Sequence, residues 1–340
     1  MAFAEMLEVL RILRHCGVPP MRALKKRDGK YDADIIGIGD NGLAAVNHLI
    51  EAGYKNAAYL VLHREGKKRK QTKADTIAMK NDSWAGIENF LTAPFDGLPK
   101  SYRRFLFYYS MNLQHRGPSF VLADFSESDG RDAAPAAAKS DGLFPRRKIA
   151  VVHVPMLEKL TDKDEAGRLE PELRWRFQGL CQQAHIVIAM GDGLSHQAGM
   201  ASEQAKRQSD FVGDLLCALH GDEEMRLSWR KVCEFLSVGR LPRWGNLWQA
   251  WSSEAADVRS AMADVQRVLS CGGALQAAKR VFVMVTGKEG ELSLSAVQKT
   301  MDELSALLDK QAEVLLHVNS EKEFDAGVRI NMAVQVERVC

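Results

Sequence analysis

A chain of 340 residues is long enough for two compact domains, each burying its own core. With 46% hydrophobic residues, 26% charged residues and a formal net charge of +2, it has the balance of an ordinary globular protein, which argues against a charge-driven nucleic-acid or membrane partner. Its cysteines, Cys16, Cys181, Cys217, Cys233, Cys271 and Cys340, form no CxxC pair, so no metal or redox centre is expected of them.

Phe3, Met6, Leu7, Leu10 and Leu13 recur at helical spacing and predict an amphipathic helix over residues 3–15, ended by Gly17, Pro19 and Pro20. Glu5, Glu8, Arg11 and Arg14 interrupt its apolar run, so it reads as neither signal peptide nor membrane span, and a cytoplasmic protein is expected. Ala33 to Ile38 reads as a strand that enters a glycine-rich turn. Leu43 to Ala52 is a helix closed by Gly53, and Ala57 to Leu62 is a second strand. Residues 64–73 are rich in Arg and Lys but lack interleaved aromatics, which reads as a solvated loop rather than a nucleic-acid site.

A helix with a core-packing aromatic cluster is expected over 100–114, from Tyr102, Phe105, Phe107, Tyr108 and Tyr109. Strands follow at Phe120–Ala123, Ile149–Val154 and Ile186–Met190, with helices between them; the one within 130–146 is expected to be short. Residues 200–220 read as one long helix, and the stretch after it as a tryptophan-rich connector holding Trp229, Trp244, Trp248 and Trp251. The chain closes with a strand at Val281–Val285, a helix capped by Ser293 and running to about Leu308, and strands at Val314–Val318 and Val328–Val336.

Gly37-Ile38-Gly39-Asp40-Asn41-Gly42 matches GxGxxG between a strand and a helix. Glycines admit a phosphate close to the backbone, and the helix start supplies N–H groups and a positive dipole. Glu65 stands where a Rossmann domain holds a ribose, so an NADP-type oxidoreductase using Gly37, Gly39, Gly42, His63 and Arg64 is one reading.

The order of several motifs points elsewhere. Residues 37–53, GIGDNGLAAVNHLIEAG, resemble the first phosphate loop and helix of FtsZ, the bacterial division tubulin, where the pattern is GVGGGGxNAVNxMIxxG. In register follow Tyr59 to Glu65, Lys73-Ala74-Asp75, Phe120 to Pro135, Val151 to Pro155 and Ile186 to Leu194. Ala278 to Gly287, Glu291 to Leu294 and Val328 to Ala333 resemble that family's C-terminal module. The resemblance implies an α/β tubulin/FtsZ-like fold, a parallel-sheet nucleotide-binding-type domain and a smaller α/β C-terminal domain joined by a long central helix. The expected parts are an N-terminal helical extension (1–30), a GTPase-like domain (31–197), the central helix (198–222), the Trp-rich connector (223–275) and the C-terminal domain (276–340).

The departures from that family carry the functional expectation. Where it has a glycine signature on the phosphates, residues 126–132 read SESDGRD. Only Gly130 survives there, and Asp124, Glu127, Asp129 and Asp132 bring carboxylates, partly offset by Arg131. One carboxylate at ~4 Å from a phosphate costs about 4 kcal/mol at an effective dielectric of ~20, enough to erase micromolar binding. Gly37, Gly39, Asn41, Gly42, Gly130 and Asp210, the last at the position of a guanine-contacting acid, therefore form a relict nucleotide site, with GTP at most a weak ligand and no cofactor certain. The family's catalytic loop, of the form NLDFAD, is best matched by Asn246 to Trp251, which puts Trp248 and Trp251 where two acids polarise water. Lost hydrolysis is expected, with both tryptophans at a subunit interface. The implied partners are the protein itself or an FtsZ/tubulin homologue, with no nucleic acid, no membrane and no metal. A monomeric scaffold with a relict pocket is the remaining reading.

Overall fold

The computed structural model describes residues 33–54, 57–64, 74–79, 118–138, 148–157, 171–192, 201–220, 227, 229–237, 246–270, 273–321, 324 and 327–336. The helices expected at 3–15 and 100–114, the basic run beyond Arg64 and Trp244 lie outside these residues. In chain order the elements are β1 (Ala33–Ile38), α1 (Gly39–Glu51), β2 (Ala57–Arg64), β3 (Asp75–Met79), β4 (Ser119–Asp124), α2 (Ser128–Ala138), β5 (Lys148–His153), α3 (Pro171–Gln183) and β6 (Ile186–Met190). Then come α4 (Ala201–His220), α5 (Trp229–Leu236), β7 (Asn246–Ala255), α6 (Val258–Ser270), β8 (Arg280–Lys288), α7 (Leu294–Ser305), β9 (Glu313–Glu321) and β10 (Val328–Val336).

All ten strands form one sheet, in the order β3-β2-β1-β4-β5-β6-β7-β10-β8-β9. From β3 to β7 every neighbouring pair is parallel, and β10 runs antiparallel to both β7 and β8. Parallel strands need helical crossovers, which cover both faces. That is why β1, β4, β5 and β6 are buried from end to end. Ile36, Val121 and Val152 face a core shared with Ala133, Ala137 of α2 and Phe177, Leu180 of α3. Ile35, Phe120 and Val151 face the other, with Val46, Leu49 of α1 and Phe211, Leu215 of α4. A third core lies under α6 and α7 against β8 and β10.

β1 pairs with β2 on one side and β4 on the other. The chain therefore reverses its lateral direction at β1, and the crevice at the carboxyl ends of β1 and β4 is the switch point where such sheets bind ligands. Gly39 begins α1 there.

The stretch 246–255 departs from expectation. It is not a connector but β7, hydrogen-bonded to β6 and β10 in the sheet interior. Trp248 is fully buried among the α4 side of the core, and its Nε1 donates to the Leu236 carbonyl at 3.0 Å. Trp251, three residues on and thus on the opposite face of the strand, is 4% exposed in the third core. Its Nε1 donates to Asp264 Oδ2 at 3.2 Å, and the Arg207 guanidinium lies 3.9 Å from its ring centre. Neither ring reaches the surface, so the expectation of Trp248 and Trp251 as interface residues is overturned: both are core.

Candidate functional site

The glycine turn is built by close approach. A Cβ at Gly37 would strike the Gly42 carbonyl, and one at Gly42 would strike the Leu122 carbonyl of β4. Gly39, at φ 73°, takes the left-handed conformation that a side chain disfavours. At Gly130, in the first turn of α2, a Cβ would collide with the Asp124 carbonyl. These four glycines pack the start of α1 against the end of β4 and the start of α2.

Across the crevice the β4–α2 turn is equally determined. Phe125 N–H donates to the His153 carbonyl at 2.9 Å, and its ring packs edge-on against Phe177 with centroids 5.8 Å apart. Ser126 N–H donates to Asp124 Oδ1 at 2.7 Å, and Glu127 N–H to the Asp124 carbonyl at 3.1 Å. This turn aims the Glu127 side chain at the glycine loop. Asp40 N–H donates to Glu127 Oε2 at 3.1 Å and Asn41 N–H donates to Oε1 at 3.1 Å. The N-terminal N–H groups of α1, which a phosphate would use, are thus taken by a carboxylate of the chain itself. Burial, then the negative charge of Asp124, raises the Glu127 carboxyl to about 7 against the two hydrogen bonds that favour its charge.

The other carboxylates expected on the phosphates divide. Asp124 accepts from His153 Nδ1 at 2.7 Å, and Asp132 pairs with Arg176 at 3.3 Å, so both are engaged elsewhere. Asp129 is buried, and its Cβ packs near Gly39. His153 also bonds Asp192 Oδ1 at 2.8 Å through Nε2, while Asp192 Oδ2 accepts from Met156 N–H at 3.1 Å. Burial works to lower the His153 pKa, but the hydrogen bonds and charges of the two aspartates prevail and raise it to about 9. The imidazolium therefore sits charged between two carboxylates at the ends of β4, β5 and β6. Sequence reasoning missed His153 and Asp192; the only signal was their position at strand ends.

Asn41 stands as expected in the first turn of α1, but its partner on α4 is Gln208. Asn41 Nδ2 donates to Gln208 Oε1 at 2.9 Å, and Gln208 Nε2 donates to the Ala123 carbonyl at 2.8 Å. Asp210 lies a little over half a helical turn further, on the other side of α4. It accepts from Lys206 Nζ at 2.9 Å and from Arg329 Nη1 at 3.2 Å. Asp210 therefore belongs to a different group of residues than expected. Arg329 of β10 also binds Asp214 through Nε at 2.9 Å and Nη2 at 2.6 Å, and Glu254 at 3.2 Å. This ion cluster ties α4 to β7 and β10, and the Gln208 face of the same helix meets the glycine loop.

The matched catalytic loop fails with the tryptophans. A strand buried between β6 and β10 cannot insert into a neighbouring molecule, so Asn246 to Trp251 says nothing about which acids a catalytic loop holds.

Among the described residues no group of three His, Cys, Asp or Glu side chains is arranged to hold a metal, and no helix is long and apolar enough to cross a membrane. No protein-family model matches the chain, and no curated protein matches its sequence. Solved structures do. An empty FtsZ dimer of M. jannaschii aligns over 98% of this chain and 92% of its own, with 14% identity and a TM-score of 0.68. CetZ1 from Haloferax volcanii, a GDP-bound monomer, aligns over 91% and 96% at 12% identity with a TM-score of 0.60. CetZ2 from Haloferax volcanii, in a GTPγS-bound protofilament, aligns over 91% and 94% at 14% identity with a TM-score of 0.57. At these identities the likeness establishes the fold: this chain has the α/β fold of the FtsZ/tubulin superfamily. The strand order from β3 to β6 alone is also that of a dinucleotide-binding sheet. The likeness extends through β7 to β10, beyond such a sheet.

Proposed function

We propose that this protein is an FtsZ/tubulin-like filament component, or a regulator of division or cytoskeletal filaments, that works without hydrolysing nucleotide. The observation that carries the reading is the Glu127 carboxylate on the Asp40 and Asn41 N–H groups. A loop of this shape, at the switch point of this fold, is suited to a phosphate, and its donors are already satisfied. GTP is then at most a weak ligand. The loss of hydrolysis rests on this contact alone and draws nothing from Trp248 and Trp251. The filament half of the reading is supported by the fold, shared with proteins solved as a dimer and as a protofilament. The partners it implies are a second copy of the chain or an FtsZ/tubulin homologue in the cytoplasm. Sedimentation and phosphate release, measured together, test it. The expected result is pelleting, alone or with an FtsZ polymer, that is the same with GTP, GDP or no nucleotide, and no phosphate release that climbs with protein concentration. GTP-dependent pelleting accompanied by such release overturns it. A monomer that never co-pellets overturns the filament role and leaves the scaffold.

A further inference from the structure

Glu127 is held at the glycine loop by a turn, not by core packing. Its side chain is half-buried and the neighbouring Ser126 and Ser128 are exposed. Its two oxygens accept from two successive N–H groups at 3.1 Å each, the same acceptor pair that two phosphate oxygens present. Gly39 makes room for it, since a Cβ there would meet Oε2. Around it stand Asp40 in the first turn of α1, Asp124 at the end of β4 and Asp129 in α2, with His153 of β5 behind Asp124 and paired with it at 2.7 Å. The same turn holds an unsatisfied buried oxygen. Asn41 is 2% exposed and its Oδ1 has no hydrogen-bond partner. Its orientation is fixed, because Gln208 Nε2 is spent on backbone carbonyls and only Oε1 faces Asn41 Nδ2.

We propose that Glu127 is a displaceable internal stand-in for phosphate: a nucleoside triphosphate reaches the N–H pair only by expelling this carboxylate. The proposal rests on reading the loop as a relict phosphate site, and it adds the gate that controls it. Held at the loop, the carboxyl titrates near 7, chiefly through burial and then Asp124; swung into water it returns to its ordinary 4.5. The closed form therefore binds more protons than the open form between those values, and rising pH opens the gate until about pH 7, with little further gain above it.

GTP binding to the whole chain, measured by calorimetry at pH ~6, ~7 and ~8 with millimolar ligand, tests this through Glu127→Ala and Glu127→Gln. A site blocked for about nine-tenths of the time or more loses about tenfold in apparent affinity, so Glu127→Ala is expected to bind at least about tenfold more tightly than the wild type. Dividing wild-type by Glu127→Ala affinity removes the titration of GTP itself. That ratio is expected to rise roughly fivefold from pH ~6 to ~7 and less than about twofold from ~7 to ~8. Glu127→Gln keeps the shape without the titrating charge, and its ratio to Glu127→Ala is expected to be flat. Equal affinities of wild type and Glu127→Ala overturn the stand-in. A wild type that fails to bind at every pH while Glu127→Ala binds, or a flat wild-type ratio, overturns the displaceable, proton-linked gate. Hydrolysis by the wild type would instead overturn the functional reading above and leave the gate standing, so the two failures are distinct. Melting of both variants close to the wild type confirms that each has folded.

Discussion

Trp248→Ala separates a core tryptophan from an interface one. The indole is fully buried, packs with Phe235 at 6.0 Å between ring centres and donates to the Leu236 carbonyl at 3.0 Å. Truncation removes a large side chain from a close-packed region, which costs about 3–5 kcal/mol. It also leaves the Leu236 carbonyl without this donor, adding about 1 kcal/mol if no water enters. With an unfolding entropy of about 2.1 cal/mol/K per residue, a chain of this size that unfolds as one unit should melt roughly 4–8 °C lower. Trp248→Phe keeps most of the apolar volume and should lose about half as much or less. Differential scanning calorimetry gives the midpoints, and sedimentation of the same samples gives assembly. The refuting result is a Trp248→Ala protein whose midpoint matches the wild type while its assemblies disappear. That outcome would return the ring to a contact between molecules.

Two further outcomes follow from the buried charges. Arg329→Gln leaves the Asp214 carboxylate, which is 0% exposed, without its guanidinium, and should cost about 3–5 kcal/mol in urea denaturation, part of it recovered by adding Asp214→Asn. A loss below about 1 kcal/mol would show that the cluster is not what joins α4 to β10. His153 titrates at about 9 when folded against an ordinary 6.5, so its stabilisation is complete below 6.5 and is lost as the pH rises through 9. The wild type should thus lose roughly 2 kcal/mol between pH ~7 and ~9.5, and His153→Gln should lose clearly less across that window. Parallel pH profiles for the two proteins would remove His153 as the group responsible.

Of the parallel strands, β1, β2, β4, β5 and β6 were legible because each carries a short apolar run, whereas β3, Asp75–Met79, was not among the expected strands. β1, β6 and β10 begin and end where the residues predict. Ser293 does cap α7, accepting from Ala296 N–H at 3.3 Å, though the helix stops at Ser305. β7 was not legible. Gln249, Ser252, Ser253 and Glu254 dilute its apolar pattern, and the pair Trp248 and Trp251 has a spacing that suits one face of a helix but opposite faces of a strand. At the site, the glycine turn and an acidic residue against it were readable from residue type. Which carboxylate does this was not, because the choice depends on contacts distant in the chain. β4–β5 register sets Asp124 opposite His153, and Arg176 of α3 draws Asp132 away. The partners of Asp210 were hidden for the same reason: Arg329, which holds its carboxylate, comes from β10, distant in the chain.

The most direct test of the account is calorimetric titration of the wild-type chain with GTP and Mg²⁺ at neutral pH. With Glu127 on the loop, the account predicts a measurable affinity weaker than ~1 µM. A submicromolar dissociation constant would contradict it.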